Sequence, residues 1–173
     1  MEHTLIILNT GSTSTKLAVY RGREAVCQKE YSHDKDFLRD YPFMADQLPM
    51  RQQIARQFVL EEAAPFAPFD AIVARGGILC PVHSGGYVIN DNMIDYLLNI
   101  CTEEHASNVA AVIARELANE FCIPNAFIYD GITTNELADI ARVSGIPEMP
   151  RISVTHALNM RATAHKIAEA ELK

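Results

Sequence analysis

The segment Asn9-Thr10-Gly11-Ser12-Thr13-Ser14-Thr15-Lys16 gathers what an anionic oxygen needs. Gly11 lets backbone approach a ligand closely. Successive N–H groups in a turn form a nest for oxyanions. The Ser and Thr hydroxyls add donors, and Lys16 adds a point charge. The segment lacks the second glycine and the following helix of a P-loop. The same residue types also make an ordinary polar hairpin turn.

Four more positions have side chains suited to the same chemistry. Arg75 ends the apolar run Ala71-Ile-Val-Ala and precedes Gly76-Gly77, and Arg is the residue for bidentate recognition of carboxylate or phosphate. His105 lies in Glu103-Glu-His-Ala-Ser-Asn108, just before a helical pattern whose N–H groups favour anions. Ser107 or Thr102 as a plain helix cap accounts for that stretch equally. Asp130 closes the run Ala126–Tyr129, where a carboxylate can hold Mg²⁺ through water or orient a reacting group, or simply form a turn before Gly131. His156 stands near the start of the last helical pattern, as an oxyanion donor or as a hydrogen-bonded, partly buried ring. A phosphate-type turn, a cation and a carboxylate at strand ends of one α/β sheet are what phosphoryl transfer uses together.

The elements that must position these groups follow from the apolar pattern. Leu5–Leu8, Lys16–Tyr20 and Ala25–Tyr31 read as an antiparallel meander, with turns at Asn9–Thr15 and Arg21–Arg23. A helix is expected over 48–62, with Pro49 in its first turn and Pro65 and Pro68 ending the segment. Ala71–Ala74 is a buried strand and 80–86 a Gly/Pro loop. Tyr87–Ile89 is a short extended piece, and helices follow over 91–101 and 106–121. Ala126–Tyr129 is a strand. Thr133-x-x-Glu136 reads as a capping box opening a helix to Arg142, and the last helix covers 153–171. The order β-β-β-α-β-α-β-α-α predicts an α/β fold with a mixed five-stranded sheet and helices on both faces. The expected core is Leu5, Ile7, Leu17, Val19, Ile72, Val73, Ile113, Leu117, Phe127 and Ile128.

Composition narrows the classes. The 173 residues are 49% hydrophobic and 21% charged, with 15 Lys and Arg against 22 Asp and Glu, a net charge of −7. That is globular composition for one domain. No basic block marks a nucleic-acid binder. Cys27, Cys80, Cys101 and Cys122 form no CxxC pair, which points to reduced thiols rather than zinc or a redox motif. The sequence has no basic leader and no apolar run near 20 residues, so a cytoplasmic protein without a membrane span is expected.

Four stretches then carry a resemblance. Leu5-Ile-Ile-Leu-Asn-Thr-Gly-Ser-Thr-Ser-Thr-Lys16, Asp70-Ala-Ile-Val-Ala-Arg-Gly-Gly77, Glu104-His-Ala-Ser-Asn108 and Ser153-Val-Thr-His-Ala-Leu-Asn159 occur in the order found in the acetate kinase family, and the last two are similar to its butyrate kinase branch. The resemblance implies a ribonuclease H-like domain of the actin-like ATPase type. It also implies the transfer of phosphate between ATP and a short-chain carboxylate such as butyrate, giving ADP and an acyl phosphate. By the same resemblance Asn9 would lie near Mg²⁺, and Ser12, Ser14 and Lys16 near the ATP phosphates. Arg75 and His105 would face the acceptor carboxylate. Arg75, Asp130 and His156 would form the catalytic centre. Full-length members are about twice as long, have two similar halves and are expected to form homodimers. This chain resembles the N-terminal half, and Asp130 is followed by Gly131 where Pro is expected. Little or no phosphoryl transfer to a carboxylate, and weak ATP binding, are therefore expected of this chain alone. A non-catalytic module of the same fold, or a half that needs a second chain, stays open beside it.

Overall fold

The computed structural model describes residues 2–171 and is built on one mixed sheet. β1 (Thr4–Thr10), β2 (Ser14–Arg21) and β3 (Glu24–Ser32) form the antiparallel meander. β1 then pairs in parallel with β4 (Ala71–Arg75), and β4 in parallel with β6 (Ala126–Tyr129). The Tyr87–Ile89 piece becomes a strand, β5 (Gly86–Val88), antiparallel to β6 at the sheet edge. The sheet thus has six strands rather than five, in the order β3-β2-β1-β4-β6-β5. β5 has only three residues, too short to show alternation in sequence.

The helices are α1 (Lys35–Leu38), α2 (Leu48–Phe58), α3 (Asp91–Asp95), α4 (Ala110–Glu120), α5 (Asp139–Arg142) and α6 (Ala157–Glu171). Pro49 does sit in the first turn of α2, and π and 3₁₀ turns carry the chain on to Phe66. α4 is preceded by a 3₁₀ turn, Ala106–Val109. No helix among the described residues is long and apolar enough to cross a membrane.

α2 and α4 pack on the same sheet face. Ile6, Leu8, Leu17, Val19, Ile72 and Ile128 meet Ala55, Phe58, Ile113 and Leu117 in one buried cluster. Four expected core residues fall on the other face: Leu5, Ile7, Val73 and Phe127 are only half-buried. A run such as Leu5-Ile-Ile-Leu8 has no alternation to say which side faces inward. Register decides it, with Ile6 beside Ile72 and Ile7 beside Val73. α6 reaches that second face through Leu158 and Ala162, which line a cavity with Ile7 and Val73, and no residue of α6 is buried.

The Thr133–Glu136 capping box does not open a helix. Thr133 bridges to Thr155, and its hydroxyl donates to the Leu79 carbonyl at 2.7 Å, so it has no role as a cap. Thr134 turns back to Gly131. The helix is reduced to α5, and Ile140, Val143, Ile146 and Met149 around it are exposed. The Thr133–Thr155 bridge also delays the last helix, which starts at Ala157 rather than Ser153.

Adjacent isoleucines of β1 offer a direct check on the two faces. Ile6→Ala should cost about 3 kcal/mol, as for a filled core site, and Ile7→Ala less than about 1.5 kcal/mol. Urea unfolding of both variants measures the difference, and equal losses would contradict the assignment of faces.

Candidate functional site

β1, β4 and β6 run parallel and adjacent, so their carboxyl ends lie side by side. Asn9 lies near the end of β1, Arg75 ends β4, and Asp130 follows β6. This is where ligands gather in open α/β sheets. Asn9, Arg75, Tyr129 and Asp130 line a cavity of about 350 Å³. Ile7 and Val73 form its apolar floor, and Leu158, Asn159 and Ala162 of α6 close one side.

Asp130 anchors the group. Its backbone is left-handed, with φ 57°, a conformation that Asp tolerates better than most non-glycine residues. The carboxylate is 9% exposed. Its Oδ1 accepts from the Leu158 N–H at 2.9 Å, which ties the start of α6 to the turn after β6. Its Oδ2 lies 3.9 Å from Arg75 Nε and 3.4 Å from His156 Nδ1. His156 Nδ1 also lies 2.7 Å from the Asp130 carbonyl. A carbonyl only accepts, so Nδ1 carries the proton. Nε2 is then the free ring nitrogen, and it becomes a donor only when the ring is charged.

His105 has the opposite tautomer. Its Nδ1 accepts from the Ser107 N–H at 3.1 Å, so it is the N-cap that Ser107 or Thr102 was expected to be. The neutral ring therefore carries its proton on Nε2. Burial pushes its pKa below the ordinary histidine value, and His156 and Arg75 nearby push the same way. The carbonyl of Ala106 accepts from the buried Thr10 hydroxyl at 2.8 Å, fastening this turn to the end of β1.

Gly76 and Gly77 make the approach possible. A Cβ on Gly76 would lie 2.6 Å from Ile128 Cγ2 and 2.7 Å from the Gly131 Cα. One on Gly77 would lie 2.4 Å from Asn108 Oδ1. Asn108 accepts from the Ile78 N–H and donates to the Glu103 carbonyl, both at 2.9 Å, which makes it a structural clamp.

The Asn9–Lys16 segment is more ordered than a seven-residue turn. β1 runs on to Thr10 and β2 starts at Ser14, which leaves Gly11–Thr13 as the bend, closed by the Gly11 N–H donating to the Ser14 carbonyl at 2.8 Å. Ser12 is exposed and Ser14 half-buried. Lys16 pairs across the ladder with Asn9, and its Nζ lies 3.2 Å from Glu30 Oε1. That contact, with Ser14 beside it, holds the Glu30 carboxyl below its usual range.

Three supporting roles escape a reading by motif: those of Thr10 and Asn108, which lie inside the stretches quoted above, and that of a fully buried arginine, Arg51, whose guanidinium reaches the Ser12–Thr15 stretch. The signal for Arg51 is its spacing with Ala55 and Phe58 on the buried stripe of α2. For Mg²⁺ the donors available are Asn9 and Asp130, and no cluster of three His, Cys, Asp or Glu side chains occurs among the described residues. Mg²⁺ takes few protein ligands and fills its shell with water and phosphate oxygens. One amide and one largely committed carboxylate fit an ion held mainly by a bound polyphosphate.

The chain is 40% identical over 166 residues to "Probable butyrate kinase 1" of Thermotoga maritima, covering 96% of this chain and 46% of that protein. It is 38% identical over 164 residues to "Probable butyrate kinase 2" of Caldanaerobacter subterraneus, covering 95% and 46%. The chain thus spans about half the length of the curated relatives it matches. Among solved structures it shares its fold with half of a propionate kinase from Francisella tularensis (TM-score 0.61, 11% identity, 99% of this chain and 50% of that one). The same holds for half of the Porphyromonas gingivalis acetate kinase (TM-score 0.55, 12% identity, 97% and 49%). No family model matches the chain.

The state of His105 can be read by titration. Its NMR midpoint should lie below 6.5, the ordinary histidine value, and should rise in Arg75→Gln. His33 is likewise held low by burial and then by Arg51. A histidine with a depressed folded pKa binds its proton more readily in the unfolded chain. The stability it contributes is therefore complete above pH 6.5 and is lost as pH falls from there to the folded pKa. Urea unfolding at pH 7.5 and 5.5 should show lower stability at the acid end, and His105→Gln should reduce that difference.

Proposed function

We propose that this chain is the N-terminal domain of a two-domain butyrate kinase, which interconverts ATP and butyrate with ADP and butyryl phosphate. The observation that carries this reading is the meeting of Arg75, Asp130 and Asn9 in the wall of one cavity with an apolar floor, with His156 against the Asp130 carboxylate. The similarity to probable butyrate kinases over 96% of the chain supports it.

The chemistry then follows from charge. A carboxylate is ionised at pH 7 and is already a nucleophile, so the acceptor needs no general base. The obstacle is repulsion between two anions, and catalysis is positioning with charge neutralisation. Arg75 would hold the acceptor carboxylate or the transferring phosphoryl group, oriented by Asp130. The alkyl chain would lie on Ile7, Val73 and Leu158. His105, neutral with its proton on Nε2, would donate a hydrogen bond to the acceptor without adding charge. His156, once charged, would donate to the phosphoryl oxygens through Nε2. Ser12, Ser14 and Lys16 would meet the ATP phosphates. Bound Mg²⁺ would supply further neutralisation of those phosphates, with Asn9 and Asp130 as the residues to hold it.

The adenosine site and a second cationic clamp are assigned to the half of the relatives that this chain does not span. The exposed Ile140, Val143, Ile146 and Met149 favour a domain that works against a second polypeptide surface. A cytoplasmic setting accords with free cysteines at 27, 80, 101 and 122.

A hydroxamate assay with butyrate, ATP and Mg²⁺ tests the division of labour. Removing one preorganised charge donor slows catalysis by roughly 10²–10³, so the 173-residue chain should fall below a full-length relative by at least that factor. Butyrate should still bind weakly, seen by saturation-transfer NMR, and Arg75→Gln should abolish the signal. Unchanged butyrate binding in Arg75→Gln would remove the basis of the assignment.

A further inference from the structure

Arg51 is an anomaly of the core. It lies on the buried stripe of α2 and has no solvent exposure. Buried charges are normally paired with an opposite charge, yet no carboxylate lies within 4 Å of its guanidinium among the described residues. All its partners are neutral. Nε and Nη2 donate to Gln47 Oε1, one turn back on the same side, at 3.2 and 2.9 Å. Nη1 donates to the Ser14 carbonyl at 3.2 Å and to Thr15 Oγ1 at 3.1 Å. Nη2 also reaches the Ser12 carbonyl at 3.4 Å. His33 Nε2 lies 2.9 Å from the same Thr15 hydroxyl, and it is another potential cation. A helix residue chosen for packing alone would be apolar here.

The contacts have a direction. In a trans peptide the C=O and N–H point opposite ways. With the Ser12 carbonyl turned to Arg51, the Thr13 N–H of the same peptide is turned away from it. The Thr13 carbonyl accepts from the His33 N–H at 2.8 Å, and the Ser14 carbonyl accepts from Gly11 N–H as well as from Arg51. The carbonyls of residues 12, 13 and 14 are thus all engaged within the protein. The N–H groups of Ser12 and Thr13 make no hydrogen bond among the described residues.

We infer that Arg51 is a positioning residue for this bend: it holds the Ser12 carbonyl inward and so turns the Thr13 N–H outward, where with the unpartnered Ser12 N–H beside it that donor is left for a polyphosphate oxygen, and the unpaired charge of Arg51 lies behind them. This rests on the reading that the Asn9–Lys16 segment takes phosphates. It adds a source of positive potential outside the cavity, from a residue that never touches the ligand.

The test uses the full ¹⁵N-labelled chain with inorganic tripolyphosphate at constant ionic strength, and follows the Ser12 and Thr13 amide peaks. Arg51→Lys keeps the charge and loses the fork; Arg51→Met keeps the volume and loses the charge. Ala55→Gly, one turn along α2, is the control for general loss of stability. The wild-type peaks should shift saturably. A hydrogen-bonded charge matters by roughly ten- to a hundredfold in affinity, so Arg51→Lys should weaken binding by about tenfold and Arg51→Met by more. Ala55→Gly should lower the melting temperature and leave the affinity unchanged. Wild-type affinity in Arg51→Met, or in Arg51→Lys should the Met variant not fold, overturns the role of Arg51 and leaves the bend a phosphate site. Equal weakening in Ala55→Gly and Arg51→Lys at matched melting temperature also overturns it. Absence of any shift at Ser12 and Thr13 in the wild type overturns the phosphate reading of the bend, and the Arg51 role with it.

Discussion

A Cβ on Gly77 would stand 2.9 Å from both the Cα and the N of Asn108, closer than real Cβ contacts come. Backbone therefore touches backbone where β4 leaves the sheet, and the site is arranged around that contact. Gly77 brings the end of β4 against the 3₁₀ turn that starts at His105. Gly76 brings the same strand end against Gly131 in the turn that follows Asp130. Arg75, His105 and Asp130 come from separate parts of the chain and share one neighbourhood because two successive residues have no side chain. Asn108 then locks the approach with bonds to Ile78 and Glu103. The glycines thus act on geometry, and they hold in place the turn of Asp130, whose backbone is left-handed.

Two histidines on one site are held in opposite states by neighbours a few atoms away. The Ser107 N–H takes the Nδ1 lone pair of His105, and the Asp130 carbonyl takes the Nδ1 proton of His156. The assignment follows from the partners, since an amide N–H only donates and a carbonyl only accepts. His105 is suited to a neutral hydrogen bond, because protonating it would break its own cap and place a second cation beside Arg75. His156 has a carboxylate at hand to balance a positive ring. For the proposed reaction, which brings two anions together, donors of both kinds would serve: one that orients without adding charge, and one that can answer charge as it develops.

Sequence patterning makes the meander, the α4 helix and the strand-end placement of Arg75 and Asp130 legible, because those signals are local. Leu5–Leu8 is a strand by composition, but which of its side chains face inward depends on register against the distant β4, with Leu5 opposite Ala71. The Thr133–Glu136 box has the right residues for a cap and loses to a bridge with Thr155 and a bond to Leu79, both distant in sequence. His105 was legible as a chemically apt residue and not as a cap, since histidine is rarely one. Arg51 was hidden by its type: a charged residue on an apolar stripe is read as an exception to the pattern rather than as a member of it.

The molecule is acidic, with a net charge of −7, so any anion it holds must be held by a few placed cations, and these are not equivalent. Lys16 and Glu30 are each about half exposed (53% and 52%), so that pair is screened by water and salt and contributes little directed field. Arg75 is 28% exposed beside a nearly buried carboxylate 3.9 Å away, a distance that leaves its guanidinium edges only loosely committed. Arg51 has no carboxylate within 4 Å among the described residues and no contact with solvent. Screening falls and the effective field rises in that order, from Lys16 through Arg75 to Arg51. The conspicuous lysine of the Gly-Ser-Thr segment is then the weakest of the three, and in the proposed site the attraction for an anion would come mostly from arginines: one at the cavity wall, and one inside the core that would act only through the backbone it holds.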